Sequence, residues 1–300
     1  MKTKTTYVKL LHLVFFLFLL TSTSSVFSQL LVNTSFEGTN PWSGFDNGQH
    51  CCSYSVTQSS TIVHDGAKSF RAEVRSSDPA VSSGWRAELV PNYSGGDGGD
   101  MWYGFSVYFE TPQSGGNWTG SYGGHFIQWH PDNGTGSLSF GLWGSDGNWD
   151  LVTNPEGDET AVHHTAPASG GGTMKIVANV WHNIVLHVNW STGLTQFWLN
   201  GVLHTSINVN WSSGPSRYLK FGMNRWGNCN GGAPCDTWVI YYDNLKIGRG
   251  VTYADVAPGS TTPPTNQPPV AVAGADKTVT LPTNSTSLAG SGTDADGTIA

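Results

Sequence analysis

The chain has 300 residues, among them 38 glycines, with 14 Lys plus Arg against 21 Asp plus Glu and a formal net charge of −7. That balance argues against nucleic acid as a partner, because phosphate binding rests on a surplus of cations. Gly-rich turns between short alternating runs, with little helical periodicity, exclude a helix bundle and point to an all-β sandwich or barrel.

Lys2, Lys4 and Lys9 precede an apolar run from Leu10 to Leu20, and small polar residues follow. A basic head, a short apolar middle and a small-residue exit predict a signal peptide over residues 1–28, and hence a secreted protein beginning at Gln29. The run is too short to span a bilayer and no later segment is long and apolar enough, so no membrane partner is expected. Export places Cys51, Cys52, Cys229 and Cys235 where disulfides persist. Their spacing fits no common zinc pattern. Cys229 and Cys235 bracket a Gly/Pro loop and are the favoured pair, whereas Cys51 and Cys52 can join only with strain.

The main domain is expected over residues 29–256. In Gly84–Val90, Trp85, Ala87 and Leu89 share one face, with Arg86 and Glu88 on the other. In Met101–Phe109, Tyr103, Phe105, Val107 and Phe109 look inward, opposite Trp102, Ser106 and Tyr108. In His125–His130, Ile127 and Trp129 join the core side with His125, opposite Phe126, Gln128 and His130. In Tyr218–Asn224, Leu219, Phe221 and Met223 oppose Tyr218, Lys220 and Asn224. Further strands are expected at Asn183–Trp190, Thr195–Leu199 and Trp238–Tyr242. His163 and His164 read as part of a polar loop, and His187 as an outward strand position. So many short strands predict a jelly-roll β-sandwich, two antiparallel sheets with a concave substrate face. Residues 257–269 form a Pro/Thr linker, and residues 270–300 alternate like strands but are too few to close a sandwich.

Thirteen Trp and ten Tyr exceed the usual needs of such a core. Their rings suit the apolar faces of sugars, although core packing is the better reading for any single Trp. Period-two counting puts Arg86, Glu88, Gln128, His130, Tyr218, Lys220 and Asn224 on faces away from their apolar neighbours. Ser and Thr would satisfy a merely solvated face. Amide, imidazole, phenol and two cations together predict a polar cleft.

Trp85–Leu89, Gln128-Trp129-His130 and Tyr218–Gly222 resemble, in order and spacing, the R-x-E, Q-x-H and Y-x-K-x-G-x-Y signatures of jelly-roll polysaccharide lyases. The surrounding text is similar to the heparin lyase I, glucuronan lyase and alginate lyase group. The resemblance implies β-elimination on an acidic, uronate-containing polysaccharide. Gln128 and Arg86 would meet the carboxylate, and His130 would be the base, since imidazole titrates near working pH. Lys220 and Arg86 would hold the chain, with Glu88, Trp102 and Arg225 among the substrate contacts. Asn224 stands at the family's catalytic Tyr position. Asn cannot donate a proton at neutral pH but can help neutralise the carboxylate. Tyr218 is then the first candidate for the acid and Tyr108 the second.

LVNTSFEG and YYDNLKIG resemble paired segments that hold a structural Ca²⁺, with Glu37 and Asp243 as the carboxylates. No organic cofactor is implied, and a monomer is expected. QPPVAVAGAD and GSGTDADGTIA resemble the start of a PKD-like immunoglobulin-type module. Two other readings compete. A non-catalytic carbohydrate-binding sandwich needs no Gln/His pair and is favoured by Asn224. A laminarinase-like hydrolase needs two carboxylates flanking the bond, and the nearest acids, Glu156, Asp158 and Glu159, have the wrong spacing.

Overall fold

The computed structural model describes residues 28–93, 97–111, 124–131, 137–142, 147–154, 161–165, 174–211, 217–225 and 236–259, with short segments between 270 and 293. Strands β1 (Gln29–Thr34), β2 (Phe45–His50), β3 (Val56–Ser59), β4 (Ser69–Val74), β5 (Trp85–Pro91) and β6 (Asp100–Phe109) come first. There follow β7 (Gly124–Pro131), β8 (Ser137–Leu142), β9 (Trp149–Asn154), β10 (Val162–Thr165), β11 (Trp181–Asn189) and β12 (Leu194–Leu199). The set closes with β13 (Val202–Asn208), β14 (Arg217–Arg225), β15 (Trp238–Arg249), the short helix α1 (Tyr253–Val256), β16 (Val270–Val272) and β17 (Ser291–Thr293).

These strands build an all-β jelly-roll sandwich. One sheet runs β13-β12-β11-β6-β15-β4-β3 with β1 added on β15, the other runs β10-β9-β8-β7-β14-β5-β2, and β16 pairs with β17 separately. Between the two large sheets lies an aromatic core. Phe221 of β14 stacks on Phe36 at 8° and meets Phe105 of β6 edge-on at 5.3 Å and Tyr242 of β15 at 4.8 Å. All four side chains are buried. Truncating such a ring costs about 3–5 kcal/mol, because the cavity adds to the lost transfer energy. Half of the ten described tryptophans follow the same logic: Trp129, Trp149, Trp190, Trp211 and Trp238 all lie in this core.

β7 departs from simple alternation. Its pairing with β8 shifts between His125 and Ile127, and its pairing with β14 shifts between Phe221 and Asn224. This bulge puts Phe126 beside Ile127 in the core, 4.7 Å from the Phe109 ring, instead of on the outer face that alternation predicts. A bulge leaves a backbone group out of the ladder, and a buried one needs a partner. The buried Tyr242 hydroxyl donates to the Phe126 carbonyl at 3.0 Å.

Two further expectations change. Cys51 and Cys52 are joined to each other, while Cys229 and Cys235 lie outside the described residues. His163 and His164 sit on strand β10 rather than in a loop. The chain leaves the sandwich through α1, where Val256 is buried over Gly104 of β6. A Cβ on Gly104 would come within 1.9 Å of the Val256 carbonyl, so only glycine admits this segment. Among the described residues no helix is long and apolar enough to cross a membrane.

Candidate active site

Three strands position the polar cluster, with β14 between β7 and β5. Across β14 and β7, Tyr218 pairs with His130 and Lys220 with Gln128. Across β14 and β5, Gly222 pairs with Glu88 and Asn224 with Arg86. Leu219, Phe221, Met223, Ala87, Leu89, Ile127 and Trp129 all enter the core. Alternation therefore sends the polar members to the outer face of the seven-stranded sheet. Arg86, Glu88, Gln128, His130, Tyr218, Lys220 and Asn224 come together as expected.

At the base of the cluster is Glu88, fully buried. One carboxylate oxygen accepts from Arg86 Nη1 at 2.8 Å, and the other accepts from Gln128 Nε2. Burial pushes its carboxyl up, while Arg86, Lys220 and Gln128 oppose the shift. Glu88 is thus a positioning group beneath the surface rather than the substrate contact expected from the sequence. Arg86 also donates to the Val81 carbonyl at 3.1 Å and the Ser82 carbonyl at 3.4 Å. A guanidinium has five N–H donors, so among the described residues one on each terminal nitrogen has no partner.

Lys220 is buried too, at 3% exposure, and donates to Gln49 Oε1 on β2 at 3.1 Å. Desolvation pulls its ammonium down and Glu88 opposes this. Its Nζ lies 5.4 Å from the centre of the Tyr218 ring. Its charge therefore acts from within the floor and not as an exposed tether. Above it, the rings of His130 and Tyr218 lie 5.5 Å apart, with His130 exposed. An imidazole and a phenol at this separation can share one sugar ring. Asn224 is buried, with its Oδ1 close to Gly84, where an added Cβ would come within 2.7 Å.

His125 was missed by period-two counting. The bulge pairs it with Asn224, whose other partner is Arg86, and so moves it from the core side to this face. Burial, then Arg86, then Lys220, pull its imidazole down to about 3, so it is neutral at ordinary pH. Two consecutive core residues, Phe126 and Ile127, were the signal in the sequence. Gln49 was likewise missed, because nothing local marks β2 as the neighbour of β5.

Other expected contacts lie elsewhere. Arg225 is fully buried on the core side, stacked 3.7 Å over Trp238 and paired with Asp236 at 3.0 Å, so it cannot touch substrate. It falls one residue after Asn224 and so points the opposite way. Trp102 belongs to the other sheet, where it stacks on His187 at 3.9 Å and Trp198 at 5.6 Å. Tyr108 is on that sheet as well, against Trp181 and Tyr241, which removes it as a source of the proton. His187, bonded to Asp100 at 2.6 Å, is with Trp102 and not at the cleft.

Glu37 and Asp243 converge on one loop. Glu37 Oε1 accepts from the Ala67 and Lys68 amides, and Asp243 Oδ2 from those of His64 and Asp65. Asp243 is fully buried, and desolvation, aided by the nearby Asp65, pushes its carboxyl up to about 6. No cationic side chain forms an ion pair with Asp243 among the described residues. Both carboxylates thus hold backbone amides of the same loop, and Asp243 accepts a third from Asn244.

Comparison with known proteins shows the family and the fold. The model of the family described as polysaccharide lyase matches residues 37–246. The chain belongs to the polysaccharide lyase family. The lyase is similar in fold to the endo-β-1,4-glucuronan lyase of the fungus Trichoderma reesei, at 17% identity and a TM-score of 0.55 over 73% of this chain and 95% of that one. It is also similar to the cellulose induced protein Cip1, at 18% identity and a TM-score of 0.49 over 72% and 96% of the two chains. The alginate lyase Aly36B, in complex with an alginate trisaccharide, gives 15% and 0.48 over 75% and 98%. No curated protein matches the lyase by sequence.

Proposed function

We propose that this lyase is secreted and acts endo on a uronate-containing polysaccharide, cleaving it by β-elimination on the outer face of the seven-stranded sheet. The observation that carries the reading is the His130–Tyr218 pair set beside Gln128, Arg86 and the buried Lys220. Elimination removes the proton at C5 of a uronate, forms the C4–C5 double bond and breaks the bond from C4 to the glycosidic oxygen. The substrate carboxylate would lie against the remaining N–H groups of Gln128 and Arg86, with Lys220 adding positive potential from below. Such fixed donors stabilise the enolate that develops as the C5 proton leaves. His130 Nε2 or Nδ1 would take that proton, and the Tyr218 hydroxyl would protonate the departing oxygen. Proton return from imidazolium to phenolate, directly or through water, restores both groups.

Asn224 and neutral His125 line the same floor as further hydrogen-bonding groups. Hydrolysis would need two carboxylates flanking the bond, and Glu88 is sealed under Arg86 and Gln128. Glu156, Asp158 and Glu159 lie outside the described residues. Glu37 and Asp243 would hold a structural Ca²⁺, and residues 270–300 would open a PKD-like module.

The test is a panel of glucuronan, ulvan, a heparin-like chain and alginate, followed by the ultraviolet absorbance of the unsaturated uronate. Product from at least one of them is expected. Binding without any unsaturated product would overturn the reading in favour of a carbohydrate-binding sandwich.

A further inference from the structure

Among the described residues, the cluster on the seven-stranded sheet contains one aromatic ring besides its histidines, Tyr218. The eight-stranded sheet is different. Arg71 of β4, Tyr241 of β15, Tyr108 of β6 and Trp181 of β11 are register partners in succession. They form one row across four strands on the outer face, spanning about 14 Å at the usual strand spacing. Tyr241 is buried as the floor, while Tyr108 and Trp181 stay partly open.

At the Arg71 end of this row the sheet surface holds a cavity of about 520 Å³. A cavity of that size holds a small ligand or a sugar unit. Its walls are Arg71, Glu73 and Arg75 from β4 and the following turn on one side, and Glu110 and Thr111 after β6 on the other. Glu73, at 4% exposure, takes an ion pair from each arginine, one on each oxygen. Glu110 accepts from the Tyr241 hydroxyl at 3.0 Å. The rim is braced as well: Asn179 donates to the Thr111 hydroxyl at 2.7 Å and accepts from the Thr111 amide at 3.2 Å.

The chemistry of this lining is specific. Two guanidiniums are balanced by two carboxylates, so the cavity offers no net attraction to an anion. It offers planar paired donors and acceptors, a hydroxyl and adjacent aromatic faces. Paired donors and acceptors match the adjacent hydroxyl groups of a sugar, and the rings match its apolar C–H face. We propose that the outer face of the eight-stranded sheet is a second, non-catalytic glycan site that takes a neutral hexose stretch, seated in the Arg71–Glu73–Arg75 cavity and running over Tyr108 and Trp181. It would hold the lyase on neutral glucan while the opposite face works on the acidic chain.

The test uses the full chain and a soluble neutral β-glucan as probe, read by affinity electrophoresis and calorimetry. Trp181→Ala and Arg75→Gln are each expected to weaken β-glucan binding by about tenfold, the size of one lost ring or paired contact. Both variants should turn over the uronan substrate at the wild-type rate, and His130→Ala should bind β-glucan as wild type does. Arg75→Gln alters a half-exposed side chain and leaves Glu73 its ion pair with Arg71, so it remains informative if Trp181→Ala lowers stability. No β-glucan binding by the wild type, or binding unchanged in both variants, overturns the proposal. So does a uronan, rather than the glucan, as the ligand lost in these variants. The outcome is separable from the lyase reading: glucan binding lost in both variants of a protein that never forms unsaturated product upholds this site and ends that one.

Discussion

Gln128 of β7 donates to Glu88 of β5 although β14 lies between their strands. Gly222, the β14 partner of Glu88, has no side chain to block the reach. It also sits at φ +130°, and an added Cβ would come 2.3 Å from the Ala87 carbonyl. The glycine of the third motif therefore lets β14 lie close against β5 beside Glu88. Replacing Glu88 by Gln keeps its shape but removes the charge that orients Arg86 and Gln128. We expect kcat to fall by about a hundredfold with little change in KM, as for a misplaced catalytic group. Steady-state kinetics on the preferred uronan check this.

His130→Ala and Tyr218→Phe should each lower kcat by about 10²–10⁴-fold, the usual size of acid–base contributions. Glycan affinity should be nearly intact in both, because the lost interactions exist in the transition state. Full activity of Tyr218→Phe would exclude the phenol as the acid.

Lys220 is enclosed by Gln49, Glu88 and the Tyr218 ring. Its replacement by Met should cut kcat/KM, and the loss should depend only weakly on salt. Screening acts on exposed charges and much less on buried ones. A loss that vanishes at high salt would show that Lys220 acts as a surface tether instead.

Tyr242→Phe removes the donor to the Phe126 carbonyl while retaining the ring in the core. The orphaned buried carbonyl should cost about 1–3 kcal/mol of stability in denaturant unfolding. Activity should fall as well, because the same bulge sets the placement of His125.

Asp243 gives a pH prediction with a defined sign. Its carboxyl is raised from 3.8 to about 6 in the folded protein, so the folded state holds this proton more tightly than the unfolded state does. Stability is then fully present below the unfolded value and lost as pH rises through the folded one. The loss has an upper bound of about 3 kcal/mol. With chelator, Tm should decline between those two values. Added Ca²⁺ should restore it above pH 6 (roughly the raised Asp243 value) without changing turnover at low temperature. Identical melting curves with and without Ca²⁺ would end the metal assignment.

Taken alone, the sequence determined the fold class and the face on which the chemistry sits. Alternation in Trp85–Leu89 and Tyr218–Asn224 is a local property, fixed by the two-residue period of a strand, and the three motifs carry it plainly. Tertiary structure decided which strands are neighbours and where the period slips. The bulge at Phe126 moved that ring inward and His125 outward, because the buried Tyr242 hydroxyl can satisfy the displaced carbonyl. Sheet order separated Trp102 and Tyr108 from the cleft, although their strand β6 reads as an alternating strand equivalent to β5 and β14. It also brought Gln49 to Lys220 across 171 positions. Long-range pairing of this kind leaves no local trace, since any strand edge offers the same backbone donors and acceptors, and only the packed core selects among them.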